Sequence, residues 1–284
     1  MPELERILRG TPGTLSKQWY EDGVAVDPGT VTVGITRADG TTLVSAGTAT
    51  TGSGSSPRAF ALMTTHTALL DQLHVTWTST AKGELTSVVE VVGGFVFTVA
   101  QARQISGLSR TDNSGNYVIP TAQIIEARTE VERMLEHELG YAMVPRYSLE
   151  TISGDGGYSL GLRPYVRSVR SVTVDSTAWT GPEVALLAFN PSGFVYSSSR
   201  WSEGFANITV GYEHGMDVPP PNAAGVALKL ARSLVVGSPA DDRAASVSTD
   251  EQTTTFYVPG ASEPFALPEA NRFVQAHSLR VGLA

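Results

Sequence analysis

Residues 119–146, IPTAQIIEARTEVERMLEHELGYAMVPR, constrain the fold most, because this stretch reads as a helix with both ends marked. Pro120 fixes φ and has no amide to leave unpaired, so it suits the start of a helix, where Thr121 is expected to accept a bond from an amide of the first turn. Gly140 supplies the left-handed stop. Between them Ile124, Val131, Leu135 and Leu139, with Met134 beside them, form one apolar stripe at the helical period. On the other side Glu126, Glu130, Glu132, Glu136 and Glu138 outnumber Arg128 and Arg133, which predicts an acidic exposed face.

The residues before this helix follow a different rhythm. Through residue 94, apolar side chains recur at every second position between clusters of Gly, Pro, Asp and Ser, the pattern of half-buried strands. Val31, Val33 and Ile35 alternate with Thr and Gly, and Asp39–Gly40 predicts a hairpin turn returning into Thr42–Ala46. Phe60 and Leu62, Val75 and Trp77, and Val89 and Val91 supply further inward faces, with a short helix or crossover between residues 63 and 73 and a flexible loop at 48–57. These features predict a small antiparallel Ig-like β-sandwich over residues 1–94. At Gly93–Gly94 the period changes, so the chain is expected to divide there into two domains, 1–94 and 95–284.

In the second part, Thr98 with Gln101 has capping-box spacing and predicts a helix over 99–107. Strands are expected at 147–152, 158–162, 166–174 and 194–196, and through the alternating Ile208, Val210 and Tyr212, with a turn at Gly154–Gly157. Asn222 is read as the cap of a second amphipathic helix carrying Ala223, Val226, Leu230 and Leu234, and a last helix is predicted from Pro268 to Arg280. The fold class is therefore α+β, a sandwich followed by a mainly helical bundle with inserted hairpins.

A search for chemistry excludes most classes. Three lysines, Lys17, Lys82 and Lys229, stand in no phosphate-loop frame, and the glycines at 154–157 lie between strands, away from any helix N-terminus. There is no G-x-S-x-G, and His137–Glu138 lacks the second histidine of a zinc helix. Without cysteine, disulfides and thiolate sites are impossible. With 28 acidic against 20 basic residues the chain is poorly suited to gripping phosphates, so only passive contact with DNA is expected. The N-terminus is charged from its third residue, unlike a secretory signal, and the run 88–100 is broken by Glu90 and two glycines, short of the roughly 20 residues a spanning helix needs, so no membrane segment is expected. Catalytic, cofactor and metal residues are accordingly expected to be none. One basic constellation, Arg163, Tyr165, Arg167 and Arg170 in RPYVRSVRSV, reads either as an interface anchor or as a solvated strand face. Residues 240–264 are polar around Phe256, Tyr257 and Val258, a β-prone anchor for a partner that Phe273 on the last helix is expected to extend.

Four segments in order, FTVAQARQI at 97–105, IIEARTEVERMLEHELGYAMVPR at 124–146, RSVRSVTV at 167–174 and ITVGYEHGMDVPPPNAAGVALKLA at 208–231, resemble the head-to-tail adaptor, or head completion, proteins of long-tailed bacteriophages. No single motif carries the resemblance, which covers about two thirds of the chain and rests on their order. It implies a virion protein, assembled in the host cytoplasm, that forms a homo-oligomeric ring of twelve copies between the portal protein and a tail-side connector or stopper and extends the DNA channel. Under that reading Glu126, Glu130 and Glu136 are candidates for the channel wall, and the C-terminal segment for docking. The N-terminal sandwich departs from the simplest family members. A binding module working through the sandwich, and a hydrolase with an unrecognised site, are the alternatives.

Overall fold

The computed structural model describes residues 4–50, 54–236, 246–249, 252–255 and 264–279, and shows a mixed α+β chain. In chain order the first strands are β1 (Leu4–Leu8), β2 (Gly13–Lys17), β3 (Tyr20–Glu21), β4 (Val24–Ala25), β5 (Val31–Thr36), β6 (Thr42–Thr48), β7 (Arg58–Leu62), β8 (Asp71–Ser79) and β9 (Gly83–Val92). Two helices follow, α1 (Val99–Ala102) and α2 (Thr121–Leu139). Next come β10 (Arg146–Gly154), β11 (Ser159–Gly161), β12 (Val166–Val174), β13 (Thr177–Ala178), α3 (Gly181–Ala185), β14 (Ala188–Phe189), β15 (Phe194–Tyr196) and β16 (Gly204–His214). The chain ends in α4 (Ala223–Val236), the paired β17 (Ser246–Thr249) and β18 (Gln252–Thr255), and α5 (Pro268–His277).

The chain groups into two units, and the grouping differs from the expected division. Unit 1 is residues 1–94 together with 144–217; unit 2 is 95–143 together with 218–284. The change of period at Gly94 does fall between the units. Just before it Gly93 is packed within unit 1: its amide donates to the Pro145 carbonyl at 2.8 Å, and a Cβ there would meet the Pro145 ring at 2.6 Å. The glycine marks a close approach between two strand segments of unit 1. Strands 144–217 therefore belong with the N-terminal residues and not with the helices.

In unit 1 the expected alternation is realised. β5 and β8 have alternate side chains buried, and the five-stranded sheet runs β1-β9-β8-β5-β6. Val33, Ile35, Val75, Trp77, Val89 and Val91 from that sheet share one core with Leu15 of β2 and Leu62 of β7, whose strands pair separately. β1 was not anticipated as a strand; it adds in parallel to β9, with Leu4 opposite Val88. Residues 63–70 are turns, not a helix. A second core forms where β10-β16-β12-β13 and the small sheet β11-β15-β14 contribute Val172, Ile208, Val210, Tyr212, Leu160 and Val195.

One buried charge group ties these segments together. Glu90 on β9 accepts from Arg6 Nε on β1 at 2.8 Å and from Arg146 Nη1 on β10 at 2.7 Å, and all three residues are 6% exposed. Burial alone would raise the Glu90 pKa, but the charges of Arg146 and Arg6 outweigh it and hold the carboxyl below its usual range. Arg170 on β12 adds a second tie by donating to the Leu70 carbonyl at 2.7 Å.

In unit 2, α2 packs with α4 and α5. Ile124, Val131, Leu135 and Leu139 are buried as the stripe predicts, and Gly140 closes the helix at φ 82°. At the other end Pro120 is the cap without a side-chain bond, and the Thr121 hydroxyl instead accepts from Arg103 at 3.2 Å. Thr98 and Gln101 form the expected capping box, but the helix ends at Ala102, short of Gly107. On α4 the buried residues are Ala223, Val226, Ala227, Leu230 and Ala231, while Leu234 is exposed. Asn222 precedes it at φ 68°.

Glu90→Gln removes a charge that pairs with two enclosed guanidiniums, a change of the kind that costs ~3–5 kcal/mol. The expected outcome is a well-resolved fall in the urea unfolding midpoint of the full chain; a loss below ~1 kcal/mol would show that the triad does not hold unit 1 together.

Candidate functional site

The acidic face of α2 is smaller than its sequence suggests. Glu132 and Arg128, expected on the exposed side, are buried: Glu132 accepts from the Val96 amide at 2.8 Å, and the Arg128 guanidinium lies 3.5 Å from the Phe95 ring centroid. Arg128 is four residues after Ile124 and Glu132 three before Leu135, so helical spacing puts both on the buried side of α2, where they serve the backbone and ring of the residues that lead into α1. Of the three channel candidates, Glu126 is exposed, Glu130 holds Arg133 at 2.6 Å, and Glu136 is half-buried and accepts from the Met143 amide at 3.2 Å. Hydrogen bonding to Arg133 also holds the Glu130 carboxyl below its usual range. Glu126 and Glu130 line a shallow recess of about 260 Å³ with Gln123, Leu234 and Val235, and a second of about 150 Å³ lies between Arg133, Met134, His137 and Phe265.

The arginines of β12 and its approach are drawn into unit 1 to different extents. Arg170 is bonded to Leu70 and paired with Glu213, with its guanidinium 4.9 Å from the Tyr147 ring centroid, so it acts as an internal tie and not as an anchor for a partner. Arg167 pairs with Asp217. Tyr165 is half-buried at φ 60°. Arg163 holds Glu150 at 2.5 Å while its side chain remains 61% exposed, which leaves it as the most accessible of the set. On α5, Phe273 is 6% exposed with its ring 4.8 Å from that of His277, so it is a core residue and cannot extend a docking surface. Phe256, Tyr257 and Val258 lie outside the described residues.

The exposed aromatics of unit 1 were not singled out from sequence. On the small sheet Val195 points inward, while its neighbours Phe194 and Tyr196 are 45% and 41% exposed. At the tip where β10 meets β16, Phe205 is 94% exposed. Its outward direction was readable, because Ile208, Val210 and Tyr212 share a parity that Phe205 lacks.

Ser148 and His214 are the nearest thing to a nucleophile and base, with Oγ and Nε2 2.9 Å apart. Both are enclosed, at 6% and 2% exposure, and Nδ1 of His214 meets no hydrogen-bond partner. Burial, then the charges of Arg163 and Arg146, push the His214 pKa down to about 3, so the ring is neutral and packed against Tyr212. Among the described residues no group of three or more His, Asp or Glu is placed to hold a metal ion, and no helix is long and apolar enough to cross a membrane.

No protein-family model matches the chain, and no curated protein matches it in sequence. Among solved structures it is similar to a chain described as the neck of an empty GTA particle computed with C6 symmetry, at 13% identity and a TM-score of 0.41, over 53% of this chain and 82% of that one.

The depressed pKa of His214 sets a pH dependence. Below pH 6.5 the unfolded chain takes up a proton that the folded chain refuses until about pH 3, so stability falls with falling pH across that window. The slope approaches ~1.4 kcal/mol per pH unit at its steepest. Unfolding midpoints measured between pH 7 and pH 5 should decline, and His214→Asn should flatten that decline whatever its effect on absolute stability; equal slopes in both proteins would contradict the assignment.

Proposed function

We propose that this chain is a structural subunit of a phage-like virion, forming a ring between portal and tail through which DNA passes. The observation that carries the reading is the order of elements: a capped short helix, a long helix with an acidic side, hairpin strands and a proline-led helix occur in the sequence that resembles head-to-tail adaptors. The packing of α2, α4 and α5 supports a helical bundle as the adaptor part. The core shared by the five-stranded sheet and the β2–β7 pair supports an Ig-like sandwich as an added N-terminal element.

Under this reading the role is structural; the Ser148–His214 pair is enclosed, and the ionic group Arg6–Glu90–Arg146 ties strands together. Outside residues 1–94 the chain has 19 acidic and 14 basic residues, so a ring of twelve copies accumulates negative charge, which repels phosphate and leaves DNA free to slide. Glu126 is the carboxylate of the three candidates most open to such a wall, and the portal, a tail-side connector and packaged DNA are the partners. Residues 256–258 are the proposed docking segment; deletion of the whole C-terminal region is a poor test of it, because α5 carries buried Phe273 and Val274.

Mass photometry of the purified full chain, alone and mixed with portal-bearing heads, tests this reading. A closed oligomer or saturable binding to the heads is expected, with little retention on duplex DNA at moderate salt. A chain that stays monomeric, ignores the heads and binds duplex tightly would overturn it.

A further inference from the structure

β17 and β18 form an antiparallel hairpin that is a sheet by itself: among the described residues no third strand is bonded to either side of it. Its ladder is regular, with Ser246 opposite Thr255, Val247 opposite Thr254, Ser248 opposite Thr253 and Thr249 opposite Gln252. Two strands alone are marginally stable in water, and a third is what ordinarily makes a sheet independent. Each strand also spends half of its amides and carbonyls on its neighbour and turns the other half outward, so the hairpin has two open edges. The other two-stranded pairs differ. β2 and β7 bury Leu15 and Leu62 in the core of unit 1, and β3 and β4 are two residues each.

The strands carry none of the usual guards against an incoming strand. An exposed edge is ordinarily blunted by a lysine or other charge, a proline, or a bulge. SVST and QTTT contain no charged residue and no proline, and their register runs without a shift. The outer strands of the five-stranded sheet are guarded by contrast: β6 is shifted twice against β5, and β1 carries Glu5 and Arg6. The acidic Asp250 and Glu251 stand between β17 and β18 in the sequence and in neither strand. Residues 237–245 connect α4 to β17, and nine residues can span at most ~30 Å, against a spacing of ~5 Å between paired strands, so chain length leaves the hairpin free to meet a neighbour.

We infer that the hairpins of adjacent copies add edge to edge, β18 of one copy pairing antiparallel with β17 of the next. This rests on the reading of the chain as an assembling subunit and names one of its contacts. The occupant is a second copy because the strand that β18 accepts within the chain is β17, and a second copy is the source of another β17. β17 and β18 run in opposite directions, so a hairpin laid beside its like continues the alternation, and the pairing of Ser246 with Thr255 can be repeated across the joint. Main-chain bonds supply the affinity in this kind of addition. The two edges belong to different strands, so the contact is head-to-tail; where the rotation closes it makes a ring, and no open edge remains.

The chain has no cysteine, so introduced thiols report the contact directly. Ser248→Cys and Thr253→Cys are made as separate full-length chains, and Val247→Cys and Thr254→Cys as a second set, with thermal unfolding as the control for folding. Neighbouring pairs in an antiparallel ladder alternate between close and wide spacing, so one of the two sets suits a disulfide. Sedimentation first establishes whether the parent assembles alone or only on portal-bearing heads, and each set is then mixed in that state and oxidised with diamide. In one set the mixture is expected to give at least ~5-fold more cross-linked dimer than either variant alone, because only opposed strands hold the two sulfurs within disulfide reach. A chain carrying both cysteines of the set that closes within one hairpin is expected to assemble like the parent, since edge addition leaves the hairpin intact. If the parent assembles and neither mixture exceeds its single variants, this contact is wrong while the assembling role stands. If the internally closed chain no longer assembles, strands are exchanged between copies, and edge addition is overturned. If the parent assembles neither alone nor on heads, both readings fall.

Discussion

A single carboxylate, Glu90, holds together segments of unit 1 that are remote in sequence. It sits on β9 between a guanidinium from β1 and another from β10, with all three side chains enclosed. An enclosed carboxylate is costly unless it is paired, and here it accepts from two arginines at hydrogen-bonding distance. The arrangement therefore selects one pairing: β1 must run beside β9 in parallel, and Arg146 must enter from the strand that follows the helices. The Gly93–Pro145 contact and the Arg170–Leu70 bond reinforce that choice. Strands 144–217 join the first 94 residues for this reason, and the chain crosses between its two units at 94, 143 and 217.

Elements whose evidence is local were legible in the sequence. The stripe on α2, its glycine stop, the Thr98 capping box, the alternation of β5 and β8, and the inward Ile208, Val210 and Tyr212 of β16 all follow from spacing, and the structure has them where spacing puts them. What spacing cannot show is which polar residue has a buried partner. Spacing does put Arg128, four residues after Ile124, and Glu132, three before Leu135, on the buried side of α2, but it does not show the phenyl ring and backbone amide that claim them. Arg170 looked like a surface anchor until Leu70, a hundred residues earlier, proved to be its acceptor. The boundary read at Gly93–Gly94 is a crossing between the units, but spacing does not show that the chain returns to unit 1 at 144.

The candidate site was legible to a lesser degree. Of the residues singled out for contact with partners, Arg163, Arg167 and Arg170 are all paired within unit 1, with Arg163 the most exposed, and Phe273 is core. The bulged tip at Phe205 depends on a register shift between β10 and β16. Parity predicts that Phe205 points outward, but not that a strained Ala206 and a set of side-chain bonds hold it rigid. The fold thus commits its enclosed ionic groups to internal order and leaves the rings of Phe194, Tyr196 and Phe205 exposed.

The account stands or falls on whether this chain is part of a particle. Cryo-electron microscopy of tailed particles purified from cells that encode this chain is the most direct measurement. The account predicts a closed ring of copies of this chain in the neck, with a DNA-wide lumen and both units resolved in each copy. Intact, tailed particles that contain none of it would contradict the central claim.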